Sequence, residues 1–350
     1  MSAQPLPSEL ARYRILAPNA GVRVSPIALG TLNFGQAWAR NMGASALAKD
    51  QSFAILDEYF SQGGNFVDTA NGYQAGTAEQ VLGEWLVERG NRDQIVLSSK
   101  FSMSFKFDRE ESPIRANYAG NSIKSLRLSV KKSLEKLQTD YLDLLFVHFF
   151  DYTTSIPELM HSLNDEVRSG RVNYIGISDT PAWIVSKANE YARNHGLASF
   201  VAYQGEWSLL RRDLEREIIP MCRSEGMALM PYGVLGQGKF KTKQEIKERQ
   251  AAGLDLRKFW GDAKQSDQEL AVSGALESMA SELGASSLGQ VAVAYHLQKY
   301  PYVFPILGCR TVEQMRTNVG SLILSLPPDA IRTLEGIVPF SLGFPYDQYG

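Results

Sequence analysis

Four residues of this chain have the side chains and the spacing to move a proton: Asp68, Tyr73, Lys100 and His148. Asp68 closes a short apolar run, residues 65–68, that follows two glycines, and Tyr73 lies five residues further on, in a connection leading to a helix-like segment. Lys100 ends the apolar run at 94–99, and His148 ends the one at 142–147. A free phenol titrates near ~10 and is a poor acid at neutral pH. An ammonium beside it favours the phenolate and lowers that value. A carboxylate next to the ammonium keeps the lysine charged when buried. An imidazole within reach can hydrogen-bond a substrate oxygen or share the proton. Each residue alone has a plainer reading: a turn cap, a loop aromatic, a surface lysine, a satisfied core histidine. Against this, Asp68, Lys100 and His148 share one position, the carboxyl end of a strand. A metal centre fits less well, because Asp68 and His148 lack the paired-histidine spacing of common zinc sites. His161, His195 and His296 fall in helical segments and read as structural or solvated.

The elements that must position this set alternate regularly. Apolar runs at 27–31, 65–68, 94–99, 142–147, 172–177, 200–203, 227–230 and 302–307 read as strands. Helical periodicity fills 46–61, 77–89, 122–137, 157–169, 181–194, 214–224, 268–283, 287–299 and 311–319. Short, wholly apolar strands suit a parallel sheet buried on both faces. The rival is a doubly wound dinucleotide fold, which requires Gly-x-Gly-x-x-Gly after an early strand. No early strand carries it, and the glycines at 233–238 lack the spacing. The reading is a (β/α)8 barrel in one domain over 1–350, with a core at about 27–322 and an insertion at 233–267. The long polar connection at 101–121 reads as functional, as such loops usually are.

Composition narrows the partners. The chain has 350 residues, 44% hydrophobic, and 36 basic against 38 acidic side chains, so neither nucleic acid nor an anionic membrane is an expected partner. Cys222 and Cys309 cannot form a disulfide framework, and residues 1–5 show neither a basic nor an apolar segment, so the expected location is cytoplasmic. No apolar run reaches the ~20 residues of a membrane span.

Three stretches carry a resemblance: G-x-N-F-V-D-T-A-x-x-Y at Gly64–Tyr73, S-S-K at Ser98–Lys100, and Y-L-D-L-L-F-V-H at Tyr141–His148. With them the chain resembles the aldo-keto reductases from Gly30 to about Leu322. The resemblance implies that Asp68, Tyr73, Lys100 and His148 form a catalytic tetrad. It also implies NADP(H) bound in extended form across the barrel mouth. The positions it implies for the cofactor begin with Gly30, Thr31 and Asp68, then Ser178, Asp179 and Gln204, with Trp207 as the ring that stacks on nicotinamide. They continue through Tyr232, Gly233, Leu235, Gly236, Gly238 and Lys239 to Gly308, Arg310, Thr311, Gln314 and Asn318. The last group has physics of its own: a strand end, a glycine, an arginine and a helix start suit a phosphate. Trp207 stands where the family usually has tyrosine, and Cys309 and Arg310 stand where many members have serine or lysine near the 2′-phosphate.

Within the family the chain is most similar to the fungal aryl-alcohol dehydrogenase and norsolorinic acid reductase-like branch. This rests on N-Y-A-G-N at Asn117–Asn121, V-H-F-F-D at Val147–Asp151 and S-D-T-P-A-W at Ser178–Trp183. The implied substrate side comprises Asn33, Phe34, Trp38, Tyr73, His148 and Phe149, with Phe150 and Tyr152 adding rings suited to an aromatic substrate. The implied activity is NADPH-dependent reduction of aromatic aldehydes or ketones, reversible toward alcohol oxidation. The alternative is a cofactor-binding regulatory subunit resembling potassium-channel beta subunits. No inactivation-type N-terminal extension favours that alternative. Oligomeric state is not legible.

Overall fold

Parallel strands need every backbone group paired along both edges, and a closed ring of them leaves no open edge. The computed structural model, which describes residues 5–42, 45–106, 112–251 and 264–349, has that ring. Eight strands run β3 (Ala28–Gly30), β4 (Phe66–Asp68), β5 (Val96–Phe101), β6 (Leu142–Val147), β7 (Val172–Ser178), β8 (Phe200–Glu206), β9 (Ala228–Tyr232) and β10 (Ile306–Leu307). Neighbours pair in parallel in that order, and β10 returns to β3. The seam between β9 and β10 is closed by a bridge from Leu229 to Val303. β10 is shorter than the expected 302–307, because Pro301 and Pro305 lack amide donors and Tyr302 takes a left-handed φ of 55°.

Period-two alternation decides what each strand sends inward. Phe66, Val96, Leu144, Ala202 and Ala228 fill the lower interior of the ring. Two residues further along each of these strands, the same parity places Asp68, Ser98, Phe146, Gln204 and Met230 inside; the next step up brings Lys100, His148 and Tyr232 toward the mouth. Gly176 of β7 is required here: a Cβ would lie 2.3 Å from the Phe146 ring. Outward residues such as Val67, Leu97, Leu145 and Ile177 pack in a separate core against the helices.

Those helices follow the alternation. They are α1 (Ala39–Met42), α2 (Lys49–Ser61), α3 (Thr77–Arg89), α4 (Ile123–Leu137), α5 (Ile156–Arg168), α6 (Ala182–Asn194) and α7 (Ile218–Glu225), then α8 (Lys243–Ala251), α9 (Asp267–Leu283), α10 (Leu288–Lys299), α11 (Val312–Val319), α12 (Pro328–Gly336) and α13 (Tyr346–Tyr349). Side chains cap several starts: Ser122, Ser155, Ser266, Ser287 and Thr311 each accept an amide of the first turn. Asp143, the one charge in its apolar strand, accepts the Leu97 amide at 2.9 Å and pairs with Arg92.

The sequence reading did not anticipate an antiparallel hairpin, β1 (Arg14–Ala17) and β2 (Ala20–Val24), ahead of the barrel. Its Leu16, Ala17, Ala20 and Val24 join the lower interior cluster and seal the floor, with the Arg14 guanidinium 4.9 Å from the Phe304 ring. The expected insertion contains α8 and a 3-10 turn at Gly236–Gly238. Its residues 252–263, residues 107–111 of the polar connection, and residues 1–4 lie outside the described residues.

Candidate active site

Asp68 is the hub at the top of the ring. It is 2% exposed and accepts three hydrogen bonds: from Lys100 Nζ at 2.6 Å, Ser98 Oγ at 2.7 Å and Gln204 Nε2 at 2.7 Å. Lys100 Nζ also donates to the Thr69 carbonyl at 2.8 Å. A buried ion pair is tolerated when its remaining hydrogen-bonding capacity is satisfied. Burial pulls the Lys100 ammonium down, but Asp68 and then Tyr73 outweigh it and the net direction is up, so the lysine stays charged. Ser98 was missed from sequence; its parity with Lys100 was the available signal.

Tyr73 rides on the connection between β4 and α3. Lys100 Nζ lies 4.9 Å from the Tyr73 ring centroid. The His148 and Tyr73 rings meet edge to face at 5.9 Å. Burial pushes the phenol upward and Lys100 only partly opposes it. The expectation of a lowered phenol is therefore corrected: Tyr73 holds its proton at neutral pH. His148 is held at about 3, by burial first and the Lys100 charge second, so its imidazole is neutral. Its Nδ1 is buried with no protein partner among the described residues.

The next residue fixes this loop. Gln74 is fully buried at a φ of 50°. Its Oε1 accepts the Trp38 amide at 2.9 Å, and its Nε2 donates to the Leu32 carbonyl at 3.0 Å. The loop after β3 and the Tyr73 loop are thus laced together by a residue the sequence did not single out.

Around the mouth the expected cofactor positions divide. Ser178 ends β7, its partner Gln204 lies two residues before the end of β8, and both face inward. Tyr232 ends β9, and its hydroxyl donates to both oxygens of Asp179, at 3.2 and 3.1 Å. Burial and then the like charge of Glu206 raise the Asp179 carboxyl, against the Tyr232 and Ser178 hydrogen bonds; solvent at this exposed residue moderates the rise. Trp207 is corrected. It is wholly buried, 4.7 Å from the His296 ring and hydrogen-bonded to Glu215, so it offers no face to a ligand. The half-buried ring at this edge of the mouth is Tyr232.

Gly30 and Thr31 are also buried. A Cβ on Gly30 would lie 2.8 Å from Ile306, and Thr31 Oγ1 donates to the Asp68 carbonyl, so both serve strand packing. Gly233, Gly236 and Gly238 all take left-handed φ after β9, with Leu235 half-buried among them, and Lys239 pairs with Glu269 at 3.0 Å. At the start of α11 past Gly308, Thr311 accepts the Gln314 amide, Gln314 accepts the Arg310 amide at 3.0 Å, and Asn318 donates to Cys309 Sγ at 3.4 Å. Those side chains cap and brace the helix. The Arg310 guanidinium is different: it has no hydrogen-bond or ion-pair partner among the described residues. Burial, then the nearby Arg249, disfavour its charge.

On the substrate side, Phe34 is wholly buried and Asn33 is 5% exposed, donating to the Cys309 carbonyl at 2.6 Å. Phe34 packs in the helix-facing core, contrary to expectation, whereas Asn33 keeps its Oδ1 without a partner among the described residues. Trp38 is half-buried and Phe149 is exposed, its ring 6.1 Å from that of His148. Phe150 and Tyr152 pair at 5.4 Å on the same loop. His161 and His195 lie against Tyr191 on the outer surface, and His296 is buried between carbonyls of Ala292 and Trp207, all away from this cluster as expected. Among the described residues no group of three metal-ligating side chains occurs, and no helix is long and apolar enough to cross a membrane.

A parallel barrel with an acid, a lysine, a phenol and an imidazole converging at the carboxyl ends of its strands defines a class. The Aldo/keto reductase family profile matches residues 26–339, and the chain belongs to that family of nicotinamide-dependent oxidoreductases. It is 53% identical over 334 residues to norsolorinic acid reductase B of Dothistroma septosporum, covering 95% of this chain and 83% of that protein. It is 48% identical over 349 residues to an aryl-alcohol dehydrogenase [NADP(+)] of Phanerodontia chrysosporium, covering 98% and 90%. A putative aryl-alcohol dehydrogenase of Saccharomyces cerevisiae is 46% identical over 344 residues, covering 98% and 91%.

Proposed function

We propose that this protein is an NADP(H)-dependent reductase of aromatic aldehydes and ketones, reversible toward alcohol oxidation, with Tyr73 as its general acid. The observation that carries the reading is the Tyr73 phenol packed against Lys100, which is itself ion-paired with the buried Asp68, at the mouth of the barrel. A bound nicotinamide would supply the hydride. As the carbonyl carbon is reduced, charge grows on the carbonyl oxygen, and the Tyr73 hydroxyl donates its proton there. Lys100 stabilises the phenolate left behind, and Asp68, held by Ser98 and Gln204, keeps Lys100 charged. The neutral His148, whose ring meets that of Tyr73 edge to face, orients the substrate oxygen.

The cofactor fits the residues present. Ser178, Asp179 and Gln204 would hold the nicotinamide end, with Tyr232 as its stacking face in place of Trp207. At the other end, the half-buried, unpartnered Arg310 guanidinium beside a helix start suits the 2′-phosphate of NADP(H). Phe149 and Trp38 present rings toward an aromatic substrate, and the NADP(+)-linked name of the aryl-alcohol dehydrogenase relative supports both choices.

The test is NADPH oxidation followed by absorbance across a series of substituted benzaldehydes and aryl ketones. Steady turnover of several members is expected. NADPH binding without turnover of any of them would point instead to a regulatory, cofactor-binding role.

A further inference from the structure

Behind β5, outside the ring, a second ionic group lies buried. Glu79 sits in the first turn of α3 and is fully buried. One of its oxygens accepts Ser99 Oγ at 2.7 Å; the other pairs at 3.3 Å with Nζ of Lys136, from the last turn of α4. Lys136 Nζ also donates to the Asn71 carbonyl at 3.3 Å. Asn71 is itself fully buried, donates through Nδ2 to the Met103 carbonyl at 3.1 Å, and donates its backbone amide to the Lys100 carbonyl at 3.1 Å. Both ends of this chain of contacts therefore abut the site. Ser99 is the neighbour of Lys100 and points the other way, and Asn71 precedes Tyr73 by two residues.

Room for the group is built in by two glycines. A Cβ on Gly76, which has a φ of 90°, would lie 2.5 Å from Lys136 Nζ, and one on Gly83 would lie 2.2 Å from the Lys136 carbonyl. Stability alone is a poor reason for such an arrangement, because a buried ion pair usually does no better than apolar residues of similar size. Its location is the better reason. Among the described residues it joins the strand that carries Lys100 to the loop that carries Tyr73, from outside the ring.

We propose that Glu79 and Lys136 are positioning residues that set the Tyr73–Lys100 spacing through Ser99 and Asn71. The proposal rests on Tyr73 being the proton donor. The pair holds two independent pieces of backbone in one register. When it is lost, the loop relaxes while the cofactor-facing ends of β7, β8 and β9 stay in place.

The experiment compares wild type with Lys136→Met, Glu79→Met, the double variant, and the milder Ser99→Ala. Each is assayed for thermal stability, NADPH affinity by fluorescence, kcat and the pH–rate profile. Each charge-removing single variant should lose stability, because it strands a buried charge. The double variant should regain stability and bind NADPH within about twofold of wild type, yet keep a kcat about 10- to 100-fold lower, the scale of a small misplacement of reacting groups. Its high-pH limb should move, since that limb reports the phenol beside Lys100. Ser99→Ala should show the same split on a smaller scale, and it decides the question if the double variant does not fold. Wild-type kcat and an unmoved limb in whichever variants fold would overturn the proposal. Tyr73→Phe is run alongside: full turnover there would sink the reading of Tyr73 instead, leaving the two failures distinguishable.

Discussion

The two ends of the barrel mouth are built by opposite means. Where Asp68, Lys100 and His148 meet, the side chains come directly from strand ends, and Asp68 and Lys100 are buried and bonded to one another. Where Arg310 waits, the side chain hangs on a connection between β10 and α11, half-buried, with its neighbours Thr311 and Gln314 occupied in capping the helix. Strand ends are held by hydrogen-bonded neighbours on both sides. A loop tolerates changes of residue type with little disturbance to the ring. On the proposed function, chemistry that must not vary sits on the first kind of support, and recognition that can be retuned sits on the second.

The largest expected effect is at the rigid end. Tyr73→Phe keeps the ring and removes the proton, so kcat for carbonyl reduction should fall by about 10²–10⁴-fold while NADPH affinity, measured by fluorescence titration, stays put. Turnover near wild type would break the contrast at its stronger side. At the loop end, Arg310→Ala should weaken NADPH roughly 10- to 100-fold and leave NADH nearly unchanged, and the loss should shrink at high salt. Equal losses for both cofactors would mean that Arg310 shapes its loop. The smallest effect is on stability. The native His148 is held at about 3, well below the usual value for histidine, so it resists the proton that the unfolded chain accepts. Its stabilising contribution is therefore complete above about pH 6.5 and is lost as pH falls toward 3, by at most about 1.4 kcal/mol per pH unit. Urea titrations at pH 6 and pH 5 should show a shallower decline in His148→Asn than in wild type; parallel declines would place the imidazole in a more solvated setting than its contacts suggest.

How much of this was legible before the fold was known depended on parity and length. Strand ends announced themselves, because a charged or polar residue closing a short apolar run is seldom there for packing alone, and the alternation of elements pointed to the parallel barrel. Ser98 could have been found by counting two back from Lys100. Trp207 and Phe34 could not have been excluded, since a large ring beside a strand end reads the same whether it faces a cavity or a helix. The N-terminal hairpin escaped because its strands are short, four and five residues, and tertiary contact with Phe66 and Phe304 defines them more than propensity does. The Glu79–Lys136 pair escaped for a different reason. Its members lie 57 residues apart, and each looks like an ordinary helix-surface charge until α3 and α4 are brought together.

The hairpin that plugs the floor has a consequence for traffic. With Leu16 and Val24 seated beneath the interior column, the barrel is a cup and not a tube. Arrivals and departures share one rim. If two reactants stack at that rim, as the proposed reduction has them, the deeper one must enter first and leave last.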